Sequence, residues 1–148
     1  KIMVKMKNLI FKKEFLLASI IVILLDQLLK IVIDVTRFTI DWSWLKIHYI
    51  TNTGAGFGIL QGRTIILGVL SLLVAGGVLY YYKDLPSDRK GQVLWGIFLG
   101  GVVGNMLDRF FRGFVIDFID FGWWPAFNIA DIAITVSVVL IVILYWKD

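Results

Sequence analysis

Long apolar runs separated by short polar segments dominate the pattern of hydrophobic and polar positions along the chain. A transmembrane helix needs about 20 predominantly apolar residues, and four runs approach or reach that length. They predict transmembrane helices over residues 15–35, 64–82, 91–110 and 128–146. We therefore expect a membrane all-α fold, in which residues 1–148 form one integral membrane domain built as a bundle of four transmembrane helices.

The first apolar run follows a lysine-rich leader and carries ionisable residues of its own. A charged leader before an apolar core is also typical of a secretory signal peptide. This run is longer than such a core, and no small-x-small cleavage site follows it. We therefore interpret residues 15–35 as a retained transmembrane helix.

Between the first two runs, the pattern changes to the short apolar and polar alternation typical of strands. It predicts a small extracytoplasmic β element over residues 39–58. The element ends in residues 54–58, where three glycines within five positions indicate a tight or positive-φ turn lying close to another part of the chain. A phosphate-binding loop would require a following Lys and Ser or Thr, whereas Ile59 and Leu60 follow here.

Composition agrees with a membrane protein, since 59% of the residues are hydrophobic and the mean hydropathy is +0.84. The net charge of +4 comes largely from lysines at the N-terminus and beside apolar runs, which indicates orientation rather than nucleic-acid binding. The positive-inside rule predicts cytoplasmic termini and a cytoplasmic loop at residues 83–90, with residues 42–63 and 112–127 outside. The basic residues behind this orientation include Lys1, Lys5, Lys7, Lys12, Lys13 and Lys147.

Aromatic residues mark the predicted membrane interfaces, as they do in other membrane proteins. The group at the outer side comprises Trp42, Trp44, Tyr49, Trp123 and Trp124, and the group at the end of the second run comprises Tyr80, Tyr81 and Tyr82. The chain has no cysteine and one histidine, His48, which argues against a zinc site of nitrogen and sulfur ligands. We expect no metal, no cofactor and no nucleic-acid partner.

Charged residues interrupt the first predicted helix at helical spacing. Asp26, Lys30 and Asp34 follow one another at intervals of four and share one helix face. Charges on a membrane helix normally face the bundle interior or a water-filled cavity. For Asp26 and Lys30, a structural ion pair and a part in the chemistry both stay open.

The third predicted helix carries Gly96, Gly100 and Gly104 at the same spacing of four. Small residues in this pattern allow membrane helices to approach closely, so packing alone can explain them. The next position in the series is Asp108, with Asn105 and Arg109 beside it at the outer end of the helix.

Asp117 and Asp131 are the polar residues at which we place the chemistry. Asp117 lies in the apolar segment 114–119, where a carboxyl is unfavourable unless a neighbour shares its proton or donates to it. Asp131 follows Asn128 by three residues, which is also the pattern of a capped helix start. Two carboxyls about 3 Å apart hold one proton between them, as in aspartic proteases. The pair predicts water activation, and a capping role for Asp131 stays an alternative.

Five short motifs occur in the order of one known family. They are Asp26-Gln27-x-x-Lys30, Asn52-x-Gly54-Ala55-Gly56-Phe57-Gly58, Gly104-Asn105-x-x-Asp108-Arg109, Gly113-x-Val115-x-Asp117-Phe118 and Phe127-Asn128-x-Ala130-Asp131. Between four apolar runs, this series resembles the lipoprotein signal peptidases (signal peptidase II), which are bacterial membrane aspartyl endopeptidases. Leu29 and Ile132 depart mildly from the usual family pattern, which often has a hydroxyl residue at these two positions.

The resemblance implies that Asp117 and Asp131 are a catalytic dyad. It implies a substrate-binding or supporting shell of Asp26, Lys30, Asn52, Gly54, Asn105, Asp108, Arg109, Asn128 and Ala130. It also implies cleavage of a diacylglyceryl-modified prolipoprotein just before its lipidated cysteine, on the outer side of the bacterial cytoplasmic (inner) membrane. We expect a monomer whose partners are these precursors and membrane lipids.

Two other functions fit parts of the pattern. A small proton-coupled carrier or channel would use intramembrane acids as a proton relay. However, most of the acids cluster near one end of the predicted bundle, which gives no path across the bilayer. A purely structural subunit would leave Asp117 without an explanation.

Overall fold

The computed structural model describes residues 11–146. Over that range, the chain forms four α-helices and one three-stranded antiparallel sheet. The elements in chain order are α1 Lys13–Thr36, β1 Ile40–Trp42, β2 Leu45–Asn52, α2 Thr64–Tyr80, α3 Arg89–Phe111, β3 Val115–Asp120 and α4 Ile129–Tyr145. Four of the lysines behind the predicted orientation, Lys1, Lys5, Lys7 and Lys147, lie outside the described residues.

The helices agree with the predicted runs to within two residues at each end, and local contacts explain the differences. α3 begins at Arg89 because the Asp88 side chain accepts hydrogen bonds from the backbone N–H groups of Lys90 and Gly91. α2 ends at Tyr80, and Tyr82 begins a short 3-10 turn. Tyr82 is buried and its hydroxyl donates to Gln92 Oε1 at 2.7 Å, so the prediction that it belongs to an interfacial aromatic belt is wrong.

The lengths of the helices and their exposed apolar side chains fit a membrane protein. Among the described helices, α1 and α3 are long and apolar enough to cross a bilayer. α2 and α4 are also apolar but have 17 residues each, which corresponds to a length of about 26 Å. Large apolar side chains on the outer face of the bundle, such as Leu24 and Leu73, are mostly exposed, as lipid-facing residues would be.

α3 packs against each of the other three helices, and its glycines allow two of them to approach closely. A methyl group added to Gly96 would lie 2.5 Å from the carbonyl oxygen of Phe15, and one on Gly100 would lie 2.8 Å from that of Ser19. On another side of the helix, a methyl group on Gly101 would lie 2.6 Å from the Ala130 carbonyl oxygen. The predicted glycine seam is therefore a packing surface between α3 and α1, next to a similar contact with α4.

The sheet has three strands in the order β1-β2-β3, whereas the sequence predicted a β element over residues 39–58 only. β1 and β2 form a hairpin in which Trp42 pairs with Leu45. β3, outside the predicted range, pairs with β2 from Asn52 opposite Val115 to Lys46 opposite Asp120. The prediction of a small sheet is confirmed, but the predicted range of residues omitted the third strand, β3.

An apolar cluster joins the sheet to the bundle. Ile33 of α1 and Ile116 and Phe118 of β3 form its buried centre, and Ile129 at the start of α4 packs against it. Because these four residues come from three elements, their burial fixes β3 against the ends of α1 and α4. This packing brings the Asp117 segment next to the start of α4.

Candidate active site

Asp117 lies on β3 opposite Ile50 and is 2% exposed. Two side-chain amides hold its carboxylate. Asn52, the last residue of β2, donates to Asp117 Oδ2 at 3.0 Å, and Asn128 donates to Asp117 Oδ1 at 2.8 Å. The acid therefore has the donors that a buried carboxyl in an apolar segment requires.

The glycine-rich turn after β2 orients Asn52. The Gly54 backbone N–H donates to Asn52 Oδ1 at 2.9 Å, which leaves the Asn52 side-chain nitrogen free to donate to Asp117. A methyl group on Gly54 would lie 2.8 Å from the Ile59 carbonyl oxygen. Gly58 has a φ of +74°. The predicted tight turn with a close backbone approach is thus confirmed.

Asp131 lies in the first turn of α4 and forms a capping box with Asn128. The Asn128 side-chain oxygen accepts from the Asp131 N–H at 3.0 Å, while Asp131 Oδ2 accepts from the Asn128 N–H at 3.2 Å. Asp131 Oδ1 also accepts from the Asn105 side chain at 2.7 Å. The capping alternative is confirmed, and the same residue also belongs to the polar group around Asp117.

Asn105 and Asn128 connect the two acids. Asn128 Nδ2 lies within hydrogen-bond distance of both Asp117 Oδ1 and Asn105 Oδ1, the latter at 3.0 Å. Asn105 in turn donates to Asp131. A continuous chain of side-chain amides therefore runs from one carboxylate to the other.

A buried charged group supports these residues from α1 and α3. Lys30, Asp26 and Asp108 are each 0% exposed, and the Lys30 ammonium lies 2.8 Å from Asp26 Oδ2 and 2.9 Å from Asp108 Oδ2. The ion pair between Asp26 and Lys30 is confirmed. Asp108 is the third member of the charged group and connects α3 to the ion pair.

Two residues in this group lie outside the set of site residues predicted from the sequence. Gln27 donates to Asp108 Oδ1 at 3.0 Å and to the Gly104 carbonyl at 3.1 Å, and Arg112 pairs with Asp108 and donates to Gln27 Oε1 at 2.9 Å. Both residues could have been identified from the sequence. Gln27 is a polar residue in an apolar run, and Arg112 follows Asp108 by four residues, a spacing at which opposite charges pair on a helix.

Asp117 and Asp131 line the same cavity, which has a volume of about 230 Å³. Phe57 and Trp124 lie at this cavity with their rings edge to face and centroids 5.1 Å apart. Arg109 also lines it, and its Nε is buried with no hydrogen-bond partner among the described residues. The cavity therefore combines two carboxylates with a cationic side chain.

The surroundings of Asp117 shift its ionisation into the neutral range. Burial, and after it the negative charge of Asp131, raises the pKa of Asp117 to about 7, against the lowering effect of hydrogen bonds from Asn52 and Asn128. A carboxyl that titrates near neutrality can act as a proton donor or acceptor at physiological pH.

A sequence model of the family described as signal peptidase (SPase) II matches residues 18–147. The match covers most of the chain, including every residue of the cavity. The chain belongs to the signal peptidase II family. The resemblance inferred from the five motifs is therefore confirmed.

Relatives of known name agree with this family. The lipoprotein signal peptidase of Halothermothrix orenii is 34% identical over 134 residues, which cover 87% of this chain and 92% of the relative. That of Moorella thermoacetica is 37% identical over 134 residues, covering 86% and 89%. A solved structure of a bacterial membrane enzyme matches with a TM-score of 0.83 at 31% identity, covering 90% of this chain and 88% of that one.

Membership of the signal peptidase II family indicates a membrane-bound peptidase that processes lipoprotein precursors. The proton-coupled carrier considered from the acids alone has no support from these comparisons. Most of the predicted shell residues lie in one contact network around the cavity.

Two other charged residues lie apart from the cavity. Asp34 shares a helix face with Lys30 but pairs with Arg37 near the surface, so it does not join the group. At the far end of β3, Asp120 Oδ2 lies 3.0 Å from His48 Nε2. This hydrogen bond and that from the Gly122 N–H lower the pKa of Asp120.

Proposed function

We propose that the protein is an aspartyl endopeptidase in which Asp117 and Asp131 activate a water molecule. The observation that carries this proposal is that both carboxylates line one cavity and are joined by the amides of Asn105 and Asn128. Amide donors hold each acid in a fixed orientation without neutralising either one.

In the proposed reaction, Asp117 holds the shared proton at rest and Asp131 is ionised. The raised pKa of Asp117 supports the first assignment. The position of Asp131 in the first turn of α4 supports the second, since the helix dipole favours a negative charge there.

Asp131 takes a proton from water as the water oxygen bonds to the scissile carbonyl carbon, and Asp117 donates to the carbonyl oxygen. As the tetrahedral intermediate collapses, the carbon–nitrogen bond breaks, the departing amine takes up the proton held by Asp131, and a hydroxyl of the intermediate returns its proton to Asp117. The products are a free carboxyl and a free amine.

Arg109 is proposed to bind the substrate backbone or its lipid. Arg109 lines the cavity together with Asp117 and Asp131, and its Nη1 donates to Ser71 Oγ at 3.4 Å. A guanidinium carries five N–H donors and a permanent positive charge, so it suits a substrate oxygen bound in the cavity. A peptide carbonyl or an ester carbonyl of the diacylglyceryl group has the required chemistry.

We infer that all four helices cross the membrane with the cavity toward the outer side. The 17-residue helices α2 and α4 are close in length to an apolar core of about 30 Å. Lys12 donates to the Ser87 carbonyl, so the start of α1 and the basic loop before α3 share the end remote from the cavity. That grouping of basic residues favours a cytoplasmic location for this end.

The proposed substrate is a prolipoprotein whose cysteine carries a diacylglyceryl group, cut just before that cysteine. The family supports a lipoprotein precursor as the substrate. The location of the cavity at the end of a bundle supports the lipidated form, because a lipid-anchored cysteine stays at that depth.

The test is cleavage of a lipidated prolipoprotein by the purified protein and by its Asp117→Asn and Asp131→Asn variants. Each variant loses one half of the pair, so the rate should fall by about 100-fold to 10,000-fold. Asp120→Asn is the matched control, since it neutralises an acid on the same strand outside the cavity. Near-normal cleavage by either dyad variant, with the protein still folded, would contradict the assignment.

A further inference from the structure

The two carboxylates bound to Lys30 each hold the backbone immediately before one proposed catalytic acid. Asp26 Oδ1 accepts from the N–H of Ala130 at 2.9 Å, one residue before Asp131. Asp108 Oδ2 accepts from the N–H of Ile116 at 3.1 Å, one residue before Asp117. The two halves of the dyad thus connect to one ammonium group through equivalent sets of contacts.

The Lys30 ammonium has three donors, and three acceptors surround it. Besides the two carboxylates, Lys30 donates to Asn105 Oδ1 at 3.1 Å, and Asn105 donates to Asp131. The side chain is 0% exposed, so water does not compete for these contacts. A single point charge therefore joins α1 to α3 directly, and connects to β3 and α4 through the two carboxylates.

The contact from Asp26 matters because the Ala130 N–H has no partner within its own helix. Ala130 lies in the first turn of α4, where the N–H groups have no carbonyl within the helix to bind. The Asp26 carboxylate on α1 accepts from the Ala130 N–H instead. Gly104 leaves space for this carboxylate, since a methyl group there would lie 2.8 Å from Asp26 Oδ2.

We propose that Lys30 is the positioning residue that fixes the separation of Asp117 and Asp131, through Asp26 and Asp108. This inference rests on the proposed dyad. Lys30 is fully buried and does not line the cavity. Its contribution is to hold two short segments of backbone in a fixed relation, so that one proton and one water fit between the acids.

A neutral double variant separates positioning from charge balance. Lys30→Met alone leaves two buried carboxylates with less compensation and is expected to fold poorly. Asp26→Asn combined with Lys30→Met removes one charge of each sign. Asp108 keeps Arg112 as its partner, and the amide oxygen of the introduced asparagine can still accept from Ala130. This variant retains balanced charge but has lost the group that joins the two sides.

The experiment compares kcat and KM for a lipidated prolipoprotein in the double variant and in Asp26→Asn alone. If Lys30 sets the dyad geometry, kcat of the double variant should be about 100-fold lower than that of Asp26→Asn alone, and the two KM values should agree within about twofold. A kcat within about threefold of the single variant, or a change confined to KM, would show that Lys30 only balances charge.

The exposed ion pair between Asp41 and Lys46, at 3.0 Å on the β1–β2 hairpin, supplies the control. Asp41→Asn with Lys46→Met makes the same chemical changes away from the cavity and should leave kcat unchanged. An equal loss of kcat in this control would overturn the proposal, because the effect would not be specific to Lys30.

Amide hydrogen exchange in the unmodified protein gives a second test that requires no variant to fold and no substrate to be cleaved. The Ala130 and Ile116 amides should exchange slowly and to a similar extent. Exchange of either amide as fast as that of an exposed loop would overturn the proposal. Failure of the wild-type protein to cleave its precursor would instead refute the proposed function.

Discussion

Asn128 donates a hydrogen bond from its side-chain nitrogen to Asp117 Oδ1 over 2.8 Å, and so ties the start of α4 to the middle of β3. Its side-chain oxygen faces the other way and accepts from the Asp131 N–H. One amide therefore serves both as a helix cap and as a donor to a proposed catalytic acid. The two functions can be separated by substitution.

Asn128→Asp should preserve the cap and abolish activity. Aspartate caps helices as well as asparagine does, so α4 should keep its start. Because residue 128 is fully buried, the added carboxylate should lower the free energy of unfolding without unfolding the protein. The new side chain cannot donate to Asp117 and places a third carboxylate beside the dyad, which disfavours the single shared proton. We expect a loss of at least about 100-fold in kcat, measured on a lipidated precursor with thermal unfolding recorded in parallel.

The matched control for this substitution is Asp88→Asn at the start of α3. Asp88 is also an N-cap, but it lies away from the cavity, and asparagine can accept the same backbone hydrogen bonds. Activity should change little in this variant. Full activity in Asn128→Asp would mean that Asn128 is only a cap.

The alkaline limb of the pH–rate profile should lie near pH 7. The pKa of Asp117 is raised to about 7, so its carboxyl is protonated below that pH and ionised above it. In the proposed reaction Asp117 must hold the proton, and activity should therefore fall as the pH rises through about 7. The measurement is the initial rate of cleavage across a pH series in one lipid composition.

Asn52→Ala tests the assignment of that limb to Asp117. The hydrogen bond from Asn52 lowers the pKa of Asp117, so its removal should move the alkaline limb to higher pH, whatever happens to the maximal rate. A limb that stays in place or moves to lower pH would show that another group controls it.

Gly104→Ala should destabilise the protein and reduce its activity. The added methyl group would lie 2.8 Å from Asp26 Oδ2 and 3.3 Å from the Ala130 Cβ, both of which are buried. Overpacking of this kind typically lowers the free energy of unfolding by about 1–3 kcal/mol. Thermal unfolding in detergent measures the change.

Gly77→Ala provides the comparison for the glycine prediction. An added methyl group at Gly77, on α2, meets no atom within 4 Å. Alanine is a better helix former than glycine, so stability should hold or rise slightly. Equal destabilisation by the two substitutions would contradict a specific role for the close approach at Gly104.

The sequence predicted the helices and the chemistry better than it predicted the sheet. Helices in lipid are marked by long apolar runs, and the acids within such runs are unfavourable enough to indicate function. β3 gave no comparable signal. Val115, Ile116, Asp117 and Phe118 are all buried, so the strand has no alternation of buried and exposed side chains to detect.

The connections of the charged group also depend on tertiary structure. Spacing alone indicated that Asp26 and Lys30 form a pair, because both lie on α1. Asp108 lies far along the chain from Lys30, on α3, and the packing of α3 on α1, which the glycines allow, brings the two together. The hydrogen bonds to the Ala130 and Ile116 backbone have no sequence signal, since any residue except proline has an N–H.

The substrate's lipid should hold the scissile bond at the depth of the two acids. Asp117 and Asp131 lie at one end of the bundle, near exposed Trp123 and half-exposed Trp124. Aromatic residues of this kind mark the membrane interface. A cysteine that carries two acyl chains is held at the same depth, because each buried methylene contributes about 0.8 kcal/mol and two chains anchor firmly where one is marginal.

We therefore expect the enzyme to cut a precursor with an unmodified cysteine far more slowly than the lipidated precursor of identical peptide sequence. The lipid keeps the scissile peptide bond beside Asp117 and Asp131 for a larger fraction of the time. Because well-oriented reactants can gain many orders of magnitude in rate, the lipidated precursor should be cleaved faster. Both precursors are incubated with the enzyme in the same lipid, and the two products are followed separately. An Asp131→Asn enzyme in the same vesicles corrects for uncatalysed loss of precursor. Equal rates for the two precursors would mean that peptide sequence alone guides cleavage, and the depth of the dyad would then have no role in substrate selection.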